Sequence, residues 1–196
     1  MSLRIGEVCR KTSETDIRVR ICLDGTGACT VNTGIGFFDH MLNSFARHGL
    51  FDLEVEVKGD LYVDCHHTIE DTGIVLGEAI KQALGDKKGI KRFGYFILPM
   101  DESLVLASLD LSGRPYLNYQ IPLTVERVGQ MDTEMVKEFF YAISYSCGMN
   151  LHLKLMDGSN NHHIIEAAYK AFAKALDEAV SYDSRITDVL STKGSL

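Results

Sequence analysis

His66-His67-Thr68-Ile69-Glu70 and His162-His163-Ile164-Ile165-Glu166 are the same pentad, HHxxE, written twice in one chain, 96 residues apart. Each opens a run with apolar residues at helical spacing. The first run has Ile69, Ile74, Leu76, Ala79, Ile80 and Ala83; the second has Ile164, Ile165, Ala168, Phe172, Leu176 and Val180. That periodicity predicts amphipathic helices over 66–84 and 162–180. Asp64 and Asn160/Asn161 stand where a cap or turn residue belongs.

The doubling extends outward. Leu53 to Gly59 and Leu151 to Gly158 read as strands closed by a turn, and the first alternates apolar and acidic residues, as a half-exposed strand does. Before them, Phe37–Phe45 and Val136–Ile143 have helical spacing, with Gly49 and Gly148 following near their ends. Earlier still, Val19 to Gly27 and Val105 to Gly113 are extended runs ending in an Asp/Gly or Ser/Gly turn. Each half therefore reads as two or three strands, a helix, a strand and a helix, over 1–90 and 91–182, linked by Lys87-Lys88-Gly89. The expected fold class is α+β: internally duplicated units with mixed sheets in one layer, helices on the other face, and one shared core. The polar segment 183–196 is expected to be frayed or to act as a flap contributing to the active site.

Composition agrees with a soluble globular domain. The chain has 196 residues, 45% hydrophobic and 24% charged, with a net charge of −7. An acidic chain without a basic run is a poor non-specific nucleic-acid binder. No apolar stretch is long enough to span a bilayer, and charge at Arg4 comes too early for a signal peptide. The five cysteines (9, 22, 29, 65 and 147) form no C-x-x-C pair, which suits reduced thiols in a cytoplasm.

The paired histidines carry the chemistry. A lone histidine is usually an ordinary core or surface residue, but two tandem pairs at matching places in a repeat point to metal. On a helix, i and i+4 share a face, so His66 and Glu70 can grip one ion and His162 and Glu166 another. The second histidine of each pair is rotated by about 100°. His67 and His163 are therefore expected to reach the site of the opposite half, within the chain or between chains. That gives two sets: His66, Glu70 and His163; His162, Glu166 and His67. His40 is a candidate to complete the second set and Glu138 the first. An imidazole-rich set with carboxylate fits Mn, Fe, Zn, Co or Ni rather than a Cys-rich structural zinc. Cys65 reads as a small buried thiol. Ligands pointing opposite ways around a helix start favour sites between copies, hence a symmetric homo-oligomer.

Lys170 lies four residues after Glu166 on the same face, whereas the first half has Ile74 there. That asymmetry suits a phosphorylated substrate lying across two metals. Arg114 follows the Ser112-Gly113 turn, and Glu14 could be a general base.

At this point the chain resembles the imidazoleglycerol-phosphate dehydratase family of histidine biosynthesis. The matching motifs are Leu23-Asp24-Gly25-Thr26-Gly27, Thr33-Gly34-Ile35-Gly36-Phe37-Phe38-Asp39-His40-Met41-Leu42, His66-His67-Thr68-Ile69-Glu70-Asp71, Asn161-His162-His163-Ile164-Ile165-Glu166-Ala167 and Ser191-Thr192-Lys193-Gly194. The resemblance covers essentially the whole chain. It implies a metal-dependent dehydratase with two Mn²⁺ per active site and a 24-subunit shell with sites between subunits. It implies metal ligands at His40, His66, His67, Glu70, His162, His163 and Glu166, with Glu138 standing where the family can have His. It implies substrate contacts at these residues and at Glu14, His48, Arg92, Arg114, Lys170, Thr192 and Lys193, with the phosphate near Arg92, Arg114, Lys170 and Lys193. Glu14, His48, Glu70 and Glu166 are the catalytic candidates. Two other readings remain: a di-metal phosphate-ester hydrolase, and a non-catalytic metal-binding cage.

Overall fold

The doubled pentad sits at the starts of two long buried helices, and each helix lies on its own sheet. The structure, a computed structural model, describes residues 3–196. The first half contains β1 (Ile5–Lys11), β2 (Thr15–Cys22), β3 (Cys29–Asn32), α1 (Gly36–Gly49), β4 (Asp52–Gly59) and α2 (His66–Leu84). The second contains β5 (Phe93–Met100), β6 (Ser103–Asp110), β7 (Tyr116–Gln120), the short hairpin β8 (Arg127–Val128) and β9 (Met131–Asp132), α3 (Met135–Cys147), β10 (Asn150–Asp157) and α4 (Asn161–Val180).

The two sheets repeat one topology. Their orders are β1-β2-β4-β3 and β5-β6-β10-β7. In each, the last-named strand runs parallel to its neighbour and the other pairs are antiparallel. The extra length between β7 and α3 forms the β8–β9 hairpin, which the periodicity did not foretell. Alternation builds the inner faces. In β2, Ile17, Val19 and Ile21 are buried while Arg18 and Arg20 face out to Glu54.

Helix pairing joins the halves. α2 packs on β1 and β2 and against α3, which reaches β7; α4 packs on β5 and β6 and against α1, which reaches β3. Sheet thus lies on both sides of a helical layer, rather than in the single layer expected. The reason is burial: each sheet has an apolar inner face, and one continuous core of α1–α4 side chains covers both. Two glycines let the helices approach. A Cβ on Gly6 would stand 1.9 Å from the Ala79 carbonyl oxygen, and one on Gly94 1.8 Å from that of Ala175. Gly6 and Gly94 hold the same place in the two sheets, as Ala79 and Ala175 do in the two helices.

The linker and tail lie together. Gly89 donates to Asp188 O, Arg92 Nη1 donates to Leu190 O, and Ile90 bridges Tyr182. The tail is therefore held along the linker as far as Leu190, while Thr192 and Lys193 are exposed. No helix among the described residues is long and apolar enough to cross a membrane.

Candidate active site

Cross-half helix pairing places His40, from α1, against the start of α4. His40 Nε2 and His162 Nε2 each lie 3.2 Å from the same oxygen, Glu166 Oε2. Among the described residues this is the one cluster of three metal-type donors. Donors bound to one ion at about 2.1 Å and at right angles stand about 3 Å apart, so the donor set fits a divalent ion. The other oxygen, Glu166 Oε1, accepts a hydrogen bond from Lys170 Nζ at 2.6 Å. Burial acts to raise the Glu166 carboxyl, but the Lys170 bond and charge, with His40, outweigh it and the net shift is downward. Asn160 starts α4, its side chain accepting from the backbone N–H of His162 and His163, so the pentad emerges from a fixed helix start. Asp64 does the same for His66 N–H at 2.7 Å.

A cavity of about 460 Å³ opens beside this cluster, lined by His40, Asn43, Arg47, His48, Glu166 and Lys170. His48, on the last turn of α1, is pushed down first by burial and then by the Lys170 charge, which keeps its ring neutral toward lower pH. Of the four cations expected near the phosphate, Lys170 alone lines this cavity, where Arg47 also stands.

The other pentad stands apart. His66 Nε2 lies 3.5 Å from Glu70 Oε2 on one helix face, as the spacing required. On α3 the Tyr141 hydroxyl is raised by burial, then by Tyr145, then by the charges of Glu138 and Glu70.

The second histidines are turned away from their neighbours. His67 Nδ1 donates to Asp60 Oδ2 at 3.0 Å, and its Nε2 faces Glu14 Oε1 at 3.7 Å. His163 Nδ1 donates to Glu102 Oε2 at 2.7 Å, and its Nε2 faces Asp101 at 3.7 Å. A carboxylate can only accept, so Nδ1 carries the proton in both rings and Nε2 is left open when the ring is neutral. These bonds, ahead of smaller opposing burial, raise both histidines. Asp60, Asp101 and Glu102 were not found from sequence. The signal for Glu102 was there: it occupies in the β5–β6 turn the place Glu14 occupies in the β1–β2 turn.

Within one chain the two expected crossings do not form. Among the described residues His163 does not join His66 and Glu70, nor His67 join His162 and Glu166; each ring instead pairs with carboxylates of its own half. The remaining cations are also dispersed. Arg92 is paired with Asp110 at 2.6 Å and lines a separate cavity with the tail, while Arg114 is exposed. Cys65 is a buried thiol 3.6 Å from Asp132.

Comparison with known proteins gives this geometry its context. Residues 33–176 match the family model described as imidazoleglycerol-phosphate dehydratase. The chain is 69% identical over 193 residues to the imidazoleglycerol-phosphate dehydratase of Lachnoclostridium phytofermentans, covering 98% of each chain. It is 60% identical over 190 residues to that of Acetivibrio thermocellus, covering 97% of each. Among solved structures it superposes on imidazoleglycerol-phosphate dehydratase from Staphylococcus aureus with a TM-score of 0.83 at 39% identity, covering 91% of this chain and 99% of that one. The Pyrococcus furiosus enzyme in complex with (S)-C348 gives 0.82 at 36%, covering 96% and 100%. The fold and these matches define the class, a hydro-lyase. The chain belongs to the imidazoleglycerol-phosphate dehydratase family of histidine biosynthesis.

Proposed function

We propose that this chain removes water from imidazole glycerol-phosphate to give imidazole acetol-phosphate, in a reaction that depends on two Mn²⁺ per active site. The observation that carries this reading is the Glu166 carboxylate, with two imidazoles on one oxygen and a lysine on the other, opening into one cavity. His40, His162 and Glu166 would hold one ion; His66 and Glu70, with Glu138, would hold part of the set for a second. Such ions supply Lewis-acid polarisation of the substrate's imidazole ring, the only electronic handle on an otherwise unactivated C–H bond.

The chain's own residues do the rest. Lys170 places a cation where a phosphate or hydroxyl would lie. The reaction loses the hydroxyl beside the ring and a proton from the neighbouring carbon, and the enol becomes a ketone. Glu14, half exposed beside His67, is the first candidate for that proton, with His48 as rival. His67 and His163 present open Nε2 atoms that belong to no cluster of three metal-type donors among the described residues. Arg92, Arg114, Thr192 and Lys193 also stand away from the cavity. Both facts are met by sites completed between copies, so the working unit is a homo-oligomer, a 24-subunit shell in the family pattern. Neither nucleic acid nor membrane has a part in it, and the setting is cytoplasmic.

The product decides between this reading and a phosphate-ester hydrolase. Incubation with imidazole glycerol-phosphate should yield a ketone that keeps its phosphate; release of inorganic phosphate without ketone would overturn the reading. A Glu14→Gln variant with near-full turnover and normal metal content would remove Glu14 from the proton-transfer role.

A further inference from the structure

The internal repeat contains its own control for Glu14. Gly6 and Gly94 are equivalent, and β1–β2 and β5–β6 pair in the same register, Lys11 with Asp16 and Pro99 with Leu104. Glu14 therefore corresponds to Glu102, Thr15 to Ser103 and Arg10 to Leu98. In the helices, His67 corresponds to His163 and Asp71 to Ala167.

The twin glutamates do opposite things. Glu102 is spent on structure: Oε2 accepts from His163 Nδ1, and Oε1 accepts from Ser103 Oγ and the backbone N–H of Ser159 and Asn160. Glu14 makes no hydrogen bond through its carboxylate among the described residues, and stands on the other side of its histidine, toward Nε2.

Two differences between the halves account for this. First, Asp60 takes the place of the glutamate at Nδ1, and its backbone N–H donates to Glu14 O at 3.1 Å. Second, the β1–β2 turn is tied to α2 through a buried carboxylate. Asp71 Oδ2 accepts from Thr15 Oγ1 at 2.5 Å and pairs with Arg10 Nη1 at 2.6 Å. Thr12 closes the turn, its Oγ1 accepting from the N–H of Glu14 and Thr15. The second half has buried Leu98 and Ala167 where Arg10 and Asp71 stand, so no such tie exists there.

We propose that Arg10, Thr15 and Asp71 form a positioning network that holds the β1–β2 turn so that Glu14 faces the Nε2 side of His67, free for proton transfer. This rests on the reading of Glu14 given above. These three are positioning residues: none faces the cavity or the donor cluster, and they act through the turn. A buried carboxylate that accepts a hydrogen bond from Thr15 and pairs with the Arg10 cation is a stiff joint, and a misplacement of about 1 Å in a reacting group costs up to about 100-fold in rate.

The test uses the metal-loaded oligomer. Thr15→Val should lower kcat about 10-fold or more, with KM and bound metal within about 2-fold of the parent, and Thr15→Ser should restore turnover. Asp71→Asn should act in the same direction. In a Glu14→Gln background the Thr15→Val change should cost no further kcat, because the group it positions is gone. A Thr15→Val enzyme with parental kcat would overturn the proposal, as would an equal loss in both backgrounds, which marks a structural role. Near-full turnover by Glu14→Gln alone would instead sink the assignment of Glu14 itself. If Asp71→Asn does not fold, the Thr15 pair still decides.

Discussion

Lys170 Nζ donates to Glu166 Oε1 at 2.6 Å while Oε2 of the same carboxylate faces His40 and His162. Lys170 thus holds Glu166 ionised in a buried place, and holds it in orientation. Replacing it by Met leaves only His40 to oppose burial at the carboxyl. Lys170→Met should lose about 1.5–3 kcal/mol of stability, the scale of a charged hydrogen bond. Its Mn²⁺ affinity should fall more steeply than the parent's as pH drops from 7 to 5.5. Calorimetric titration over that range checks this; parallel curves would contradict it.

His67 and His163 link stability to pH in the metal-free chain. Both are raised by the carboxylates at their Nδ1 atoms. Such groups stabilise fully below the unfolded value of about 6.5 and lose that contribution as pH rises through the higher folded value. His48, lowered by burial, works the other way: its contribution is present above about 6.5 and is lost as pH falls. The comparison must therefore be between variants. His67→Gln and His163→Gln should each flatten the fall in thermal midpoint between pH 6 and 8, and an unchanged slope would refute the link.

His40 contributes a donor from the other half of the repeat. If the site holds the two Mn²⁺ proposed above, His40→Ala should reduce bound metal to about one per site and lower turnover by about 100-fold. Elemental analysis of the folded oligomer provides the check. Full metal content would remove His40 from the ligand set.

The glycines of the two sheets set the helix–sheet distance. Gly6→Ala and Gly94→Ala both drive a methyl into a helix carbonyl oxygen. Each should cost at least about 2–3 kcal/mol, at or above the upper end of ordinary overpacking. Equal urea midpoints for parent and variants would show that the helices can retreat.

Much of this molecule was legible from one repeated pentad. The helical spacing after His66 and His162 predicted α2 and α4, and the turn glycines bounded the earlier helices. Layering was not legible: periodicity shows that a face is buried, not which element buries it, and α1 crossing to α4 is a tertiary choice. The i,i+4 rule correctly put His66 with Glu70 and His162 with Glu166. It said nothing of Asp60 or Glu102, whose contacts depend on where β4 and the β5–β6 turn end. Lys170 could be placed beside Glu166 because both share a helix. Arg92, Arg114 and Lys193 sit on separate loops, and no local spacing rule joins loops.

The most direct measurement is turnover by metal-stripped protein, given imidazole glycerol-phosphate with and without Mn²⁺, while ketone and inorganic phosphate are both followed. Ketone that appears only with the metal, without released phosphate, is the result expected of a dehydratase built on the His/Glu clusters. Equal ketone formation without metal, from protein shown to hold none, would contradict it.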